Sequence, residues 1–142
     1  MNGSSNLRRR ALRRARVVPG LYSILAFIGA KRVVVRGRSM MPALSPRERV
    51  MFDRLAYFVG DPRVGDVVLA GHPARPGVRM IKRVAELRGE GEYVLLGDNP
   101  DESTDSRTLG PFRRGDIVGR AWVVYWPPER FRRVDSQRMG SE

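Results

Sequence analysis

The 142-residue chain contains no cysteine and a single histidine, His72. The first absence excludes a structural disulfide, a thiolate zinc site, an iron–sulfur cluster and a cysteine nucleophile. The second excludes a multi-histidine metal centre, so neither a metal nor a cofactor is expected. His72 lies in a Gly71-His72-Pro73 loop and reads as a surface residue. Lysine is nearly as scarce: of 27 basic residues only Lys31 and Lys82 are lysines, and the rest are arginines. Arginine stays protonated at any working pH, so a lysine kept in such a chain is a candidate for work that requires losing a proton. Lys82 stands out on that ground.

A long hydrophobic run is also missing. The longest apolar stretch, 17–30, has 14 residues. As a helix it would reach about 21 Å, against a hydrocarbon core of about 30 Å. It follows six arginines within residues 1–16, half of the net charge of +12. That arm points to an anionic membrane surface as a partner. It also points to a plasma-membrane location with the N terminus cytoplasmic, a cytoplasmic protein being the alternative. A signal peptide fits less well, because cleavage after Ala30 would leave bulky Ile28 where a small residue is preferred. The plainest alternative is an amphipathic helix docked on the domain; we place membrane contact ahead of it.

What is present is a β texture. The length suits one domain, and 42% hydrophobic residues suffice for a core. From Lys31 onward, short β-branched runs alternate with Gly and Pro signals, giving strand candidates at 32–36, 49–58, 66–70, 78–87, 93–96 and 117–125. Met41-Pro42, Ser45-Pro46, Asp61-Pro62, Arg75-Pro76-Gly77, Gly89-Glu90-Gly91 and Asp98-Asn99-Pro100 mark turns between them. No sustained helical period follows residue 31. The expected fold is mainly β: a compact antiparallel domain over 32–128, preceded by a basic arm with a short helical or membrane-associating segment (1–31). A polar C-terminal tail (129–142) follows it.

Three stretches could carry chemistry. In Arg36-Gly37-Arg38-Ser39-Met40-Met41-Pro42, a serine beside glycine sits where a strand breaks into a loop, which can expose its hydroxyl. Taken alone, such a serine far more often caps a turn than reacts. In Val78-Arg79-Met80-Ile81-Lys82-Arg83-Val84, alternation puts Lys82 on one face with Val78, Met80 and Val84. Burial there would lower the lysine pKa and yield a neutral amine, although a lone strand lysine usually snorkels to water. In Gly97-Asp98-Asn99-Pro100-Asp101-Glu102-Ser103-Thr104-Asp105-Ser106-Arg107, hydroxyls, acids and one arginine share a loop that an Asp105–Arg107 pair could fix. An EF-hand pattern is lacking, so calcium is set aside.

Together these stretches resemble the signal peptidase I family, serine–lysine proteases related in fold to the LexA-type self-cleaving proteins. Ser39-Met40 with Pro42 resembles the nucleophile box and Lys82-Arg83-Val84 the general-base box, 43 residues apart. Gly97-Asp98-Asn99, Ser103, Asp105-Ser106-Arg107 and Gly110 match the third box. Arg63-Val64-Gly65-Asp66-Val67-Val68 resembles the strand box between them, Gly119-Arg120-Ala121-Trp122 and Tyr125-Trp126-Pro127 resemble the closing strand, and the likeness spans about 32–127. The resemblance implies Ser39 as nucleophile and neutral Lys82 as its base. It further implies Ser103 orienting the amine, Asp105 and Arg107 pairing to hold the loop, and the Ser39 N–H donating to the oxyanion. The implied partner is an extended precursor segment with small side chains at the first and third residues before the scissile bond.

Two departures stand out. Gly37 occupies the place where many members carry a hydroxyl that completes the oxyanion hole, and Arg38 is a bulky neighbour for the nucleophile. The short serine–lysine spacing and missing insertion also leave open a protease that matures nickel-containing superoxide dismutase. A different class, a basic nucleic-acid-binding β module carrying Trp122, Tyr125 and Trp126, fits less well. Half the charge lies in the arm, and no helix-turn-helix pattern is present, so nucleic acid is not the expected partner. A membrane-surface scaffold with a dead protease fold is the third reading.

Overall fold

A computed structural model of the protein describes residues 19–89 and 91–136. The arginines of the arm, Glu90 of the expected 89–91 turn and the last residues of the tail lie outside the described residues. The order is α1 (Pro19–Gly29), β1 (Lys31–Val34), β2 (Arg49–Asp53), α2 (Ala56–Val59), β3 (Val67–Gly71), β4 (Arg79–Arg88), β5 (Glu92–Leu96), α3 (Ser106–Leu109), β6 (Phe112–Arg113), β7 (Ile117–Trp126) and β8 (Arg132–Arg133). The strands form one sheet in the order β1-β2-β7-β3-β4-β5-β6, with β8 on β7 and every pairing antiparallel. This is the expected mainly β antiparallel domain with a short N-terminal helix.

β3 explains how the sheet is held. Its apolar run does not alternate with polar residues, because both faces are covered. Val67 and Leu69 enter a core with Val35, Met40, Leu44, Val50, Phe52, Ala121 and Val124. Val68 and Ala70 enter a second core with Val84, Tyr93, Leu95, Phe112 and Ile117. Phe52 and Phe112 are fully buried, each worth about 2–3 kcal/mol of transfer free energy. β7 crosses close to β2 at Gly119, where a Cβ would lie 2.9 Å from the Asp53 carbonyl oxygen.

Two expectations are corrected. The strand read over 49–58 stops at Asp53, whose Oδ1 accepts from the N–H groups of Leu55 at 2.8 Å and Ala56 at 3.2 Å. That bond turns the chain into the one-turn helix α2. The expected plasma-membrane location is corrected as well, as far as a spanning anchor is concerned. Among the described residues no helix is long and apolar enough to cross a membrane. The 11 residues of α1 reach only about 16 Å. One side of α1 instead docks on the sheet: Ala26 is buried, and the Tyr22 hydroxyl donates to Asp53 Oδ2 at 2.6 Å. Burial and that carboxylate hold the phenol up at about 12.

Arg132, within the polar tail expected over 129–142, is tied into the domain. It pairs with Val124 in β8, and its guanidinium donates to both oxygens of buried Glu48, at 2.9 and 2.8 Å. It also donates to the Ala43 carbonyl at 2.8 Å.

Candidate active site

Ser39 sits in the tight turn that follows β1. Gly37 adopts φ +72°, a left-handed conformation that side-chain-bearing residues rarely take. The turn closes through Met41 N–H to the Arg38 carbonyl at 3.1 Å and Leu44 N–H to the Met40 carbonyl at 2.9 Å. Met40 and Leu44 plug the first core. Half-buried Ser39 is thereby held at the surface directly before the anchored Met40.

Lys82 lies in β4 opposite Val68, in register with no bulge. It is 4% exposed, and among the described residues no carboxylate pairs with it within ion-pair distance. Burial lowers its pKa from the ordinary lysine value; nearby Asp105 opposes that shift and Arg107 adds to it. The described residues contain no sealed, unpartnered side-chain polar atom, so the amine opens onto a cleft. That cleft, of about 340 Å³, is lined by Ser39, Met40, Lys82 and an apolar wall that includes Val35, Leu69 and Ile81. Ser39 and Lys82 therefore share one cavity, with no hydrogen bond between them. Catalytic hydrogen bonds are commonly long in unliganded enzymes and tighten on the substrate.

The third stretch wraps around both. Asp105 is fully buried and collects the N–H of Gly97 at 2.9 Å, the Ser103 hydroxyl at 2.7 Å, and Arg107 through Nε at 3.0 Å and Nη2 at 2.6 Å. Burial alone would raise its carboxyl pKa; these donors outweigh that and hold it far below the usual range. The expected Asp105–Arg107 pair is thus formed. Ser103 commits its proton to Asp105 and keeps its lone pairs to accept from another donor; its expected bond to Lys82 is not formed here.

Three features carried no role in the sequence reading. Buried Arg83 donates to Asp98 through Nε and Nη2, both at 2.8 Å, and to the Gly65 carbonyl at 2.7 Å. Asn99 hydrogen-bonds the Ser39 turn, with its N–H 2.8 Å from the Ser39 carbonyl. Gly97 is wedged so tightly that a Cβ would lie 2.2 Å from Ser103 Oγ and 2.7 Å from the Ser39 carbonyl oxygen. The Gly-Asp-Asn-Pro string after a strand was the available signal. His72 sits in its loop, accepting the Ala74 N–H at 3.1 Å.

The model of the family described as signal peptidase, peptidase S26, matches residues 8–91 and 89–126. The chain belongs to this family. Peptidase S26 membership carries serine-type endopeptidase activity at the family level. The chain is 34% identical over 119 residues to human mitochondrial inner membrane protease subunit 1, covering 70% of this chain and 71% of that protein. The Xenopus tropicalis protein of the same name is 32% identical over 118 residues, covering 70% and 71%. Signal peptidase I of Leptolyngbya laminosa is 28% identical over 160 aligned positions, with 78% of each chain covered. None of these similarities favours the superoxide dismutase maturation branch.

Proposed function

We propose that this peptidase S26 protein removes an N-terminal leader or pro-segment from a precursor, with Ser39 as nucleophile and Lys82 as general base. The observation that carries the proposal is the buried amine of Lys82, with no carboxylate among the described residues within ion-pair distance, opening onto the cleft that Ser39 lines. Burial lowers the pKa of the amine and so favours the neutral form, which can accept the Ser39 proton. The serine oxygen then bonds to the scissile carbonyl carbon, and the carbonyl oxygen becomes an oxyanion facing the Ser39 N–H. With Gly37 in place of a hydroxyl residue, backbone donors serve that oxyanion. Collapse breaks the C–N bond, and Lys82 returns the proton to the leaving amine. Lys82 next deprotonates a water, which attacks the ester; as the ester C–O bond breaks, the ammonium returns the proton to Ser39 Oγ and the acid product leaves. Ser103 orients the amine through its free lone pairs, and Asp105 with Arg107 fixes Ser103.

An extended peptide is the matching substrate because the cleft lies between two open strand edges. Among the described residues β1 pairs only with β2, and β4 pairs with β5 only from Arg83 onward. Val35 directs its N–H to Glu48 and its carbonyl to Arg47, so alternation turns the backbone groups of Val34 and Arg36 to the open edge. Val84 likewise bonds Asp66 and Gly65, which leaves Arg79 and Ile81 facing outward. A strand added there gains main-chain bonds from both sides.

The test is incubation of purified protein with precursor peptides bearing small residues at the first and third positions before the bond, read by mass spectrometry. Wild type is expected to cut at one bond, and Ser39→Ala and Lys82→Arg are expected to stay folded and inactive. Wild-type turnover in Lys82→Arg would remove Lys82 as base. No cleavage, together with no labelling by a serine-directed acylating inhibitor, would overturn the protease reading.

A further inference from the structure

The cleft continues past its apolar wall. It shares Val33, Val34, Arg36 and Arg79 with a second groove of about 480 Å³. Four of the seven residues lining that groove are cations, Lys31, Arg32, Arg36 and Arg79, and none is acidic. All four are exposed. Among the described residues, none of them is ion-paired with a carboxylate. Arg83, Arg107 and Arg132, by contrast, each hold a carboxylate. Uncompensated positive charge is thus gathered at one end of the cleft, where it concentrates anionic ligands.

The two open edges say how far from the chemistry this charge lies. Arg79 precedes Lys82 by three residues on β4, about 10 Å of extended chain. Lys31 and Arg32 lie further back along β1. Resting on the protease reading, and on the small residues expected just before the bond, we infer that the preferred precursor carries aspartate or glutamate on the leader side. These acids sit about four to five residues from the scissile bond, over Arg36, Arg79 and the start of β1. The apolar wall then takes the small side chains nearest the bond, and the cations select among leaders by charge.

The test uses peptides identical except for Glu, Gln or Lys at the fourth and fifth residues before the bond. For wild type, kcat/KM for the Glu peptide should exceed that for Gln by about fivefold in dilute buffer. The gap should close near about 0.5 M salt, because these cations are exposed. Arg36→Glu/Arg79→Glu should reverse the order and favour the Lys peptide, an outcome that general damage cannot produce. Should that double variant fail to fold, Arg32→Glu in the same groove gives the same reading. Anisotropy measurements with Ser39→Ala should rank the peptides alike by Kd. If wild type cuts no peptide while Ser39→Ala still binds Glu over Gln, the groove stands and the protease reading falls. Equal values for Glu and Gln in both assays, or a Glu preference unchanged by charge reversal, overturns the inference.

Discussion

Asn99 holds Ser39 from across the chain. Its N–H donates to the Ser39 carbonyl at 2.8 Å, and its Nδ2 donates to the Arg38 carbonyl at 3.1 Å. The residue before it, Asp98, receives two of the three side-chain bonds of Arg83, and Arg83 follows Lys82. A short path of covalent and hydrogen bonds therefore runs from the amine through Arg83, Asp98 and Asn99 to the hydroxyl. A cleft whose two reactive groups come from distant segments needs such rigid support, because small misplacements cost large factors in rate.

Gly97 is the tightest point of that support. A methyl group there would overlap Ser103 Cβ, 2.6 Å away, and the Ser39 carbonyl oxygen, 2.7 Å away. The second contact is backbone, which cannot rotate aside. Gly97→Ala is expected to lose about 1–3 kcal/mol of stability by overpacking. It should also lose about a hundredfold in kcat with a smaller change in KM, read by thermal denaturation and peptide kinetics.

Glu48 ties the end of the described chain to the Ser39 loop. Burial favours its neutral form, but the bidentate Arg132, the Ser45 N–H and Arg130 hold its pKa down. Arg132→Ala leaves the buried carboxylate with the Ser45 N–H at 3.0 Å and Arg130 at 3.3 Å. Because Arg132 is itself part-exposed, the expected loss is about 1–3 kcal/mol, short of that for a fully buried pair. Urea denaturation checks it, and a stability unchanged within error would show that Arg130 suffices.

Much of this arrangement is legible in the sequence, for physical reasons that differ by element. β3, β4, β5 and β7 are runs of β-branched residues between Gly and Pro signals, and local pattern fixes them to within a residue or two. α2 reads as strand in the sequence because Ala56-Tyr57-Phe58-Val59 carries no helical period of its own; the turn into it is set by Asp53 accepting from the Leu55 and Ala56 N–H groups. The 17–30 stretch reads as apolar throughout because hydropathy ignores partners; the bond of Tyr22 to Asp53 and the burial of Ala26 are tertiary facts. The bonds of Asn99 and Arg83 escaped for the same reason. The Asp105–Arg107 pair was readable because its residues lie two apart.

Lys82 makes the fold less stable than it need be. Its folded pKa lies below the ordinary value of 10.5, so the unfolded chain binds the proton more readily. Wild-type stability therefore falls as pH drops from above that value toward the folded one, and stays low beneath it. Lys82→Met removes the titration and keeps the side-chain volume. It should be inactive yet more stable at neutral pH by about 1 kcal/mol, a few degrees in Tm, with the advantage vanishing above about pH 10.5. A Met variant less stable than wild type at every pH would mean that the amine is well solvated.

The charges of Asp105 and Arg107 pull the Lys82 pKa in opposite senses, and this separates a catalytic amine from a structural one. Burial is the main cause of its lowering; Asp105 raises it and Arg107 lowers it further. If neutral Lys82 accepts the serine proton, the acid limb of the rate profile follows its deprotonation, rising about tenfold per pH unit below the pKa. Arg107→Gln removes the positive charge and should move that limb to higher pH. Asp105→Asn removes the negative charge and should move it to lower pH, while losing about 1–3 kcal/mol of stability with its hydrogen bonds. Both profiles are to be taken at a temperature where circular dichroism shows the variants folded. Structural damage would lower the plateau in both without sending the limbs apart. Limbs that move together, or not at all, would mean that the ionisation controlling the rate belongs to another group.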